Sequence, residues 1–376
     1  MIERTLSENI KGRLGTGKAI VIMGARQVGK TTLLRHLFGG RTDVLWLSGD
    51  DPDVDALLSD MTSTRLAHLI GNNNRIVVID EAQRISDIGI KMKLIIDNMP
   101  GIQLVATGSS SFELANKTNE PLTGRKWEYR LFPLSFAEMA AEHGVIAERR
   151  LIPHRLVFGY YPDVVTHPGD EREILTMLAE SYLYKDIFAV DKIKKTDRLL
   201  RLMQAIAYQT GSEVSYNELS QLCGIDPKTV ERYITMMEQA YIVFRLPSFS
   251  RNMRNELRHS RKIFFYDNGI RNAVIGNFAQ IENRGDVGAL FENFAVAERV
   301  KLLNNARSTA RPAFWRTTSG QEIDYIEELD GVISAFEIKW NARRKASLPR
   351  SFGSAYPDSR FTKVTPDNVD AFLTEI

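Results

Sequence analysis

The chain has 376 residues, of which 43% are hydrophobic and 26% charged, the proportions of a globular rather than a disordered protein. A net charge of +2 and a pI near 8.5 fall short of a dedicated nucleic-acid binder, so any such contact must come from a local patch. A single cysteine, Cys223, excludes an internal disulfide and a multi-cysteine zinc site, and it fits a reducing compartment.

At roughly 150 residues per domain the length predicts two to three domains. The first residues, Met1-Ile-Glu-Arg-Thr, mix acid and base and do not read as a signal peptide. No stretch approaches the ~20 apolar residues of a membrane helix. The expectation is a cytoplasmic protein with no membrane partner. Apolar runs at 19–23, 44–47, 76–79, 102–106 and 129–132 alternate with helical patterns, which predicts βαβ units. Because the runs are apolar throughout, burial on both faces of a parallel sheet is expected.

The motif Gly24-Ala25-Arg26-Gln27-Val28-Gly29-Lys30-Thr31 follows the first run and opens a helix, which makes it a phosphate loop. Its glycines let backbone N–H groups turn onto phosphates, and the helix N-terminus adds partial positive charge. Lys30 is assigned to the β- and γ-phosphates and Thr31 to Mg²⁺, with Thr32 next to them. Arg26 faces either phosphate or solvent. The fourth apolar residue of 76–79 leads into Asp80 and Glu81, at the strand end where α/β sheets place ligands. Asp80 is assigned to the metal and Glu81 to the attacking water. Ser109 would touch the γ-phosphate or that water. Arg125 would be either a finger into a neighbouring subunit's site or an ordinary surface charge.

These segments, with Ile79-Asp-Glu-Ala-Gln83, Thr107-Gly-Ser-Ser, Leu122-Thr-Gly-Arg125, Pro133-Leu-Ser-Phe136, Phe158-Gly-Tyr-Tyr-Pro162 and Tyr184-Lys-Asp-Ile187, resemble a large prokaryotic family of AAA+ ATPases. The resemblance covers essentially the whole chain. It implies ATP, Mg²⁺ and a ring-like or stacked homo-oligomer, and it names no substrate. The fold class expected is α/β: an AAA+ P-loop core over 1–136, a helical lid or connector over 137–199, a winged helix over 200–265, and a restriction-endonuclease-like domain over 266–376.

For the middle segment, Ser215 and Glu218 make a capping box, Gly224 a tight turn, and Asp226-Pro227 a second helix start. Two short strands after them give a resemblance to a winged helix. Its second helix would expose Lys228, Thr229, Arg232 and Tyr233, and its wing Arg245, Arg251, Arg254, Arg258 and Arg261. Such a face suits DNA phosphates, although winged helices also serve as packing modules. For the last hundred residues, an amphipathic helix with a buried stripe of Leu290, Phe294, Ala297 and Val300 precedes three strands. Asp324 with Glu337-Ile-Lys339 fits the pattern of a PD-(D/E)XK nuclease, Glu292 being a fourth member. Residues two apart on a strand share a face, so Glu337 and Lys339 would project together. Asp324 and Glu337 would share Mg²⁺. No proline precedes Asp324, and many domains of this fold keep the scaffold and lose the chemistry.

The leading functional reading is a DNA-directed AAA+ ATPase. The others are a nucleotide-operated switch or scaffold, and a nuclease with an ATPase regulator.

Overall fold

The computed structural model describes residues 2–59, 61–109, 118, 122–183, 196–249 and 261–376. The chain divides into two compact units. Glu3–Pro133 and Gln239–Tyr241 form the first, Leu134–Glu238 and Ile242–Ile376 the second.

In the first unit, helix α1 (Leu6–Lys11) leads to strand β1 (Ala19–Met23) and helix α2 (Lys30–Phe38). Then come β2 (Val44–Ser48), α3 (Pro52–Leu58), α4 (Ser63–Ile70), β3 (Ile76–Asp80), α5 (Ile88–Asn98), β4 (Gln103–Gly108) and β5 (Lys126–Arg130). All five strands run parallel in the order β2-β3-β4-β1-β5. β1 and β4 are buried along their whole length, as unbroken apolar runs require when helices cover both faces. The run at 44–47 departs from that expectation: β2 is an edge strand, and Trp46 is 38% exposed. The last strand also lies earlier than the apolar run at 129–132. β5 ends at Arg130 and is a half-exposed edge, while Leu131 and Phe132 are buried beyond it. A five-stranded open sheet has two edges, and apolarity alone does not say which runs occupy them.

β4 lies between β3 and β1, and its register fixes the carboxyl edge of the sheet. Ile79 pairs with Ala106 and Met23 with Gly108, so Asp80 stands beside Thr107 and the loop after Met23 beside Gly108. Gly24 is required here, because a Cβ would lie 2.0 Å from the Leu131 carbonyl oxygen.

The second unit opens with helices α6 (Phe136–His143), α7 (Val145–Arg150), α8 (Ile152–Phe158), α9 (Pro162–Thr166) and α10 (Glu171–Met177). The chain continues through α11 (Thr196–Tyr208), β6 (Glu213–Val214), α12 (Tyr216–Cys223), α13 (Pro227–Gln239), β7 (Val243–Leu246) and β8 (Arg261–Phe265). These three strands make an antiparallel sheet in the order β6-β8-β7. After α14 (Asn268–Val274) and α15 (Val287–Asn305) come β9 (Arg311–Arg316), β10 (Glu322–Leu329), β11 (Val332–Ile338), α16 (Arg350–Ala355), β12 (Arg360–Val364) and α17 (Val369–Thr374). The sheet order is β12-β11-β10-β9; β12 is parallel to β11 and the other pairings are antiparallel. The segment after β7 joins the two sheets. Phe314 N–H donates to the Pro247 carbonyl at 2.9 Å, and Phe249 packs among Ala313, Ile323, Ile326 and Phe352.

Helix α15 corrects the amphipathic reading. No residue from Leu290 to Leu303 is exposed, Val300 is only half-buried, and Asn293, Glu298, Arg299 and Lys301 are buried with the apolar residues. Each of these polar groups is matched. Asn293 accepts from Phe265 N–H and donates back to the Phe265 carbonyl, at 2.8 and 3.0 Å. Arg299 forks onto Glu327 at 2.6 and 2.8 Å. Glu298 accepts from Lys301 at 2.6 Å and from Phe136 N–H at 2.7 Å. Burial nevertheless pushes the Glu298 carboxyl up from 4.5 to about 6, against the pull of Lys301.

That shift predicts a pH dependence. Between its ordinary pKa and about 6, the folded chain holds the Glu298 proton and the unfolded chain releases it. The stabilisation is therefore complete below the lower value and lost as pH rises through the higher one. Urea denaturation of wild type and Glu298→Gln at pH 4.5 and 7 should show the wild type losing about 2 kcal/mol relative to the variant. A difference that does not change with pH would refute the assignment.

Candidate functional site

The phosphate loop is held open by backbone conformation. Gln27 and Gly29 are left-handed, with φ of 58° and 93°, and Gly29 serves as the N-cap of α2. Arg4 braces the loop from below, donating to the Val28 carbonyl at 2.8 Å and the Phe132 carbonyl at 2.6 Å. Ala25 and Val28 are buried, Arg26 is half-buried, and Gln27 and Thr32 are exposed. What Ala25 and Val28 can offer a ligand is backbone.

Lys30 is 4% exposed and lies across the loop, donating to the carbonyls of Gly24 and Ala25, each at 2.9 Å. Its Nζ stands 4.0 Å from Glu81 Oε1. Thr31 Oγ1 donates to Asp80 Oδ2 at 2.7 Å. The sheet register supplies a partner that the sequence reading did not single out. Buried Thr107 donates to the other oxygen of Asp80 and accepts from Glu81 N–H at 3.0 Å. Glu81 itself is left-handed, with φ 48°, a strained conformation for a residue with a long side chain. Gln83 holds its carboxylate at 2.6 Å and reaches Ser109 Oγ at 3.0 Å. Lys30, Thr31, Asp80, Glu81 and Ser109 are thus brought together, and Thr107, Gln83 and Arg4 join them. Thr107 and Gln83 stood in motifs already noted, but only strand register shows what they touch.

Arg125 is not among them. It precedes β5, its carbonyl accepts from Ala19 N–H at the amino end of β1, and its side chain pairs with Asp97 at 2.7 Å in the open. Its own phosphate loop lies at the other end of the strand.

The second cluster lies in the C-terminal sheet. The pairing Tyr325↔Phe336 puts Asp324 beside Glu337, and Lys339 bridges them, at 2.9 Å from Asp324 and 2.7 Å from Glu337. Asp324 also accepts from Ile338 N–H at 2.8 Å. Glu292 approaches from α15, but its partner is Lys262 of β8, at 3.0 Å, and Lys262 also pairs with Glu322 at 2.5 Å. Lys262 and Glu322 were not anticipated; a lysine in an apolar strand gave the only signal. Burial pushes the Glu292 carboxyl up to about 7, with Lys262 opposing and Asp324 adding to the rise. Burial and the Asp324 charge likewise raise Glu337. For Lys262 and Lys339 burial acts downward, but the surrounding carboxylates outweigh it and hold both above the ordinary lysine value. A cleft of about 470 Å³ adjoins the cluster, lined by Thr210, Gly288, Glu292, Lys339, Trp340 and Arg344 among others.

On the middle segment, Ser215 accepts from Glu218 N–H, and Asp226 accepts from Thr229 N–H at 3.0 Å, so both expected helix starts are present. Lys228 and Arg232 are exposed on α13. Two expectations fail. Tyr233 is buried, since it follows Val230 by three residues and lies on the inward face. Arg245 is half-buried and bound by Glu238, Tyr216 and Thr235, so it is not offered to a ligand. Arg251, Arg254 and Arg258 lie outside the described residues, and Arg261 is half-buried at the start of β8.

Three family models match the chain: an AAA domain over residues 16–140, a domain of unknown function (DUF8612) over 149–281, and a domain of unknown function (DUF4143) over 287–369. The chain is 27% identical over 371 residues to an uncharacterized protein of Mycobacterium tuberculosis, covering 96% of this chain and 78% of that one. It is 26% identical over 260 residues to an uncharacterized protein of Haemophilus influenzae, covering 65% and 62%. Among solved structures it is similar to a Walker-type ATPase of Pyrococcus abyssi, with 13% identity, a TM-score of 0.49, and coverage of 73% of this chain and 96% of that one. Residues 16–140 of this chain therefore match an AAA domain, of the P-loop, nucleotide-binding ATPase kind, and residues 149–281 and 287–369 match two domains of unknown function.

Proposed function

We propose that the chain hydrolyses ATP with Mg²⁺ in its first unit, and that the nucleotide state governs a DNA-contacting second unit. The observation that carries the first half is the convergence of Lys30, Thr31, Asp80 and Glu81 at one strand edge, tied by Thr107 and Gln83. The Thr31 hydroxyl and an Asp80 carboxylate oxygen meet at 2.7 Å, an oxygen pair of the kind that holds Mg²⁺ in P-loop sites. Bound there with nucleotide, the ion neutralises charge on the β- and γ-phosphates. The residues do the rest. Lys30 exchanges its two carbonyl acceptors for phosphate oxygens. Glu81 orients the attacking water, and Gln83 with Ser109 holds that carboxylate in line.

A trans role for Arg125 in a homo-oligomer belongs to the same proposal. Its exposure at the far end of β5 supports it, since a head-to-tail neighbour would meet such a residue. The second half rests on the order α11-β6-α12-α13-β7-β8 with its β6-β8-β7 sheet, an arrangement like that of a winged helix, and on exposed Lys228 and Arg232. A concavity of about 450 Å³ beside them includes Arg198, Ser220, Gln221 and Thr229. The second reading, a nucleotide-operated switch whose C-terminal domain holds a partner without cleavage, is favoured by one observation: lysines bridge the acids of the nuclease-like cluster.

Lys30→Ala should lose nucleotide binding, whereas Glu81→Gln should bind ATP and turn it over ~10²-fold or more slowly. Equal loss of affinity in both variants, measured with a fluorescent nucleotide, would contradict these roles. Turnover per protomer should rise with protein concentration in the wild type and stay flat in Arg125→Ala; a wild-type rate in that variant at every concentration removes the trans role. For DNA, reversing Lys228 and Arg232 to Glu should weaken duplex binding for all sequences alike and lower the salt slope by about 2. A flat salt response of the wild type would leave the switch reading in its place.

A further inference from the structure

We propose that Lys262 is a resident cation beside the carboxylates that a nuclease of this topology would use to hold a divalent metal, so that the C-terminal cluster is metal-free and does not cleave phosphodiesters. The inference rests on reading the order α15-β9-β10-β11-α16-β12 as nuclease-like. It sets this chain apart from that class of enzyme by one residue.

Lys262 belongs not to the four-stranded sheet but to β8, the middle strand of the other sheet, where its backbone is paired on both sides, with Glu213 and with Leu246. The residue is 1% exposed. Its ammonium lies 3.0 Å from Glu292, 2.5 Å from Glu322 and 5.5 Å from the centre of the Phe314 ring. Buried and paired with two carboxylates, the ammonium is part of the cluster and not a surface group.

Mg²⁺ requires oxygen ligands converging at about 2.0–2.1 Å with near-octahedral geometry. Here Asp324 Oδ2 is engaged by both Ile338 N–H and Lys339. Glu337 Oε1 faces Lys339, and Glu292 Oε1 faces Lys262. Among the described residues, no group of three or more His, Cys, Asp or Glu is placed to hold a metal ion. Lys339 belongs to the nuclease pattern itself, and Lys262 adds a further positive charge beside the acids. An added ion would meet like charge in a poorly screened site, where repulsion is strong. Expelling Lys262 would strip an ammonium of its partners inside the protein, which is costly.

The test is titration of the nucleotide-free full chain with Mn²⁺, free ion being read by electron paramagnetic resonance, in wild type, Asp324→Asn, Lys262→Arg, Lys262→Met and Lys262→Met/Asp324→Asn. Wild type, Asp324→Asn and Lys262→Arg should titrate alike. Lys262→Met should gain one site, tighter by about tenfold or more than any in the wild type, and the double variant should lose it. A wild-type site that Asp324→Asn abolishes overturns the inference while upholding the nuclease-like reading. A folded Lys262→Met that gains no site overturns both. Should Lys262→Met fail to fold, the comparison of wild type with Asp324→Asn still decides, since a shared absence of the site supports the proposal and an Asp324-dependent site defeats it.

Discussion

A helix with no exposed residue along most of its length must bring a partner for each charge it buries, and α15 sets that requirement for the elements packed around it. A buried ion without a partner costs several kcal/mol, so each polar residue of α15 selects something on another element. Asn293 ties to the end of β8, Arg299 to β10, Glu298 to the start of α6, and Glu292 to Lys262. The same demand extends one layer out. Gly159 has φ 68°, and a Cβ there would lie 2.1 Å from the Asp267 carboxylate; that carboxylate accepts from Tyr160 N–H and caps α14. Segments far apart in sequence are thus held together by matched polar groups as much as by apolar contact.

The first unit answers to a different constraint. There the polar groups gather at one end of a sheet whose interior is wholly apolar. Because β4 runs between β3 and β1, Thr107 lies within reach of Asp80, and Glu81 leaves its strand in a left-handed turn over it. The strain at Glu81 is held by its own backbone bond to Thr107 and by Gln83, which sets the direction of the carboxylate.

These two constraints explain what was legible in the sequence. The phosphate loop and Asp80-Glu81 were readable because each needs only local order, a strand followed by a loop or a carboxylate. The helix starts at Ser215 and Asp226 were readable for the same reason. Thr107 and Gln83 were not assigned, because their roles depend on which strands are neighbours, and strand order is not local. Trp46 illustrates the reverse case, an apolar run that looked central and lies at an edge. On α15 the buried stripe holds at Leu290, Phe294 and Ala297 but not at Val300, and a polar residue on the other face reads as solvated unless its partner is known. Lys262 and Arg245 are of that kind, whereas the burial of Tyr233 follows from its three-residue spacing to Val230.

The two acid clusters make the point chemically. Both set carboxylates beside a lysine near the end of a sheet, and a residue list does not separate them. In the first, Lys30 rests on loop carbonyls, and among the described residues the Asp80 carboxylate bonds to two hydroxyls, which are neutral partners. In the second, the carboxylates of Asp324, Glu337 and Glu292 each face an ammonium. A neutral hydroxyl partner leaves the carboxylate charge in place to attract a metal, whereas an ammonium cancels it. The same residue types therefore meet neutral partners at one sheet edge and charged partners at the other, and the difference lies in the charge of the partners.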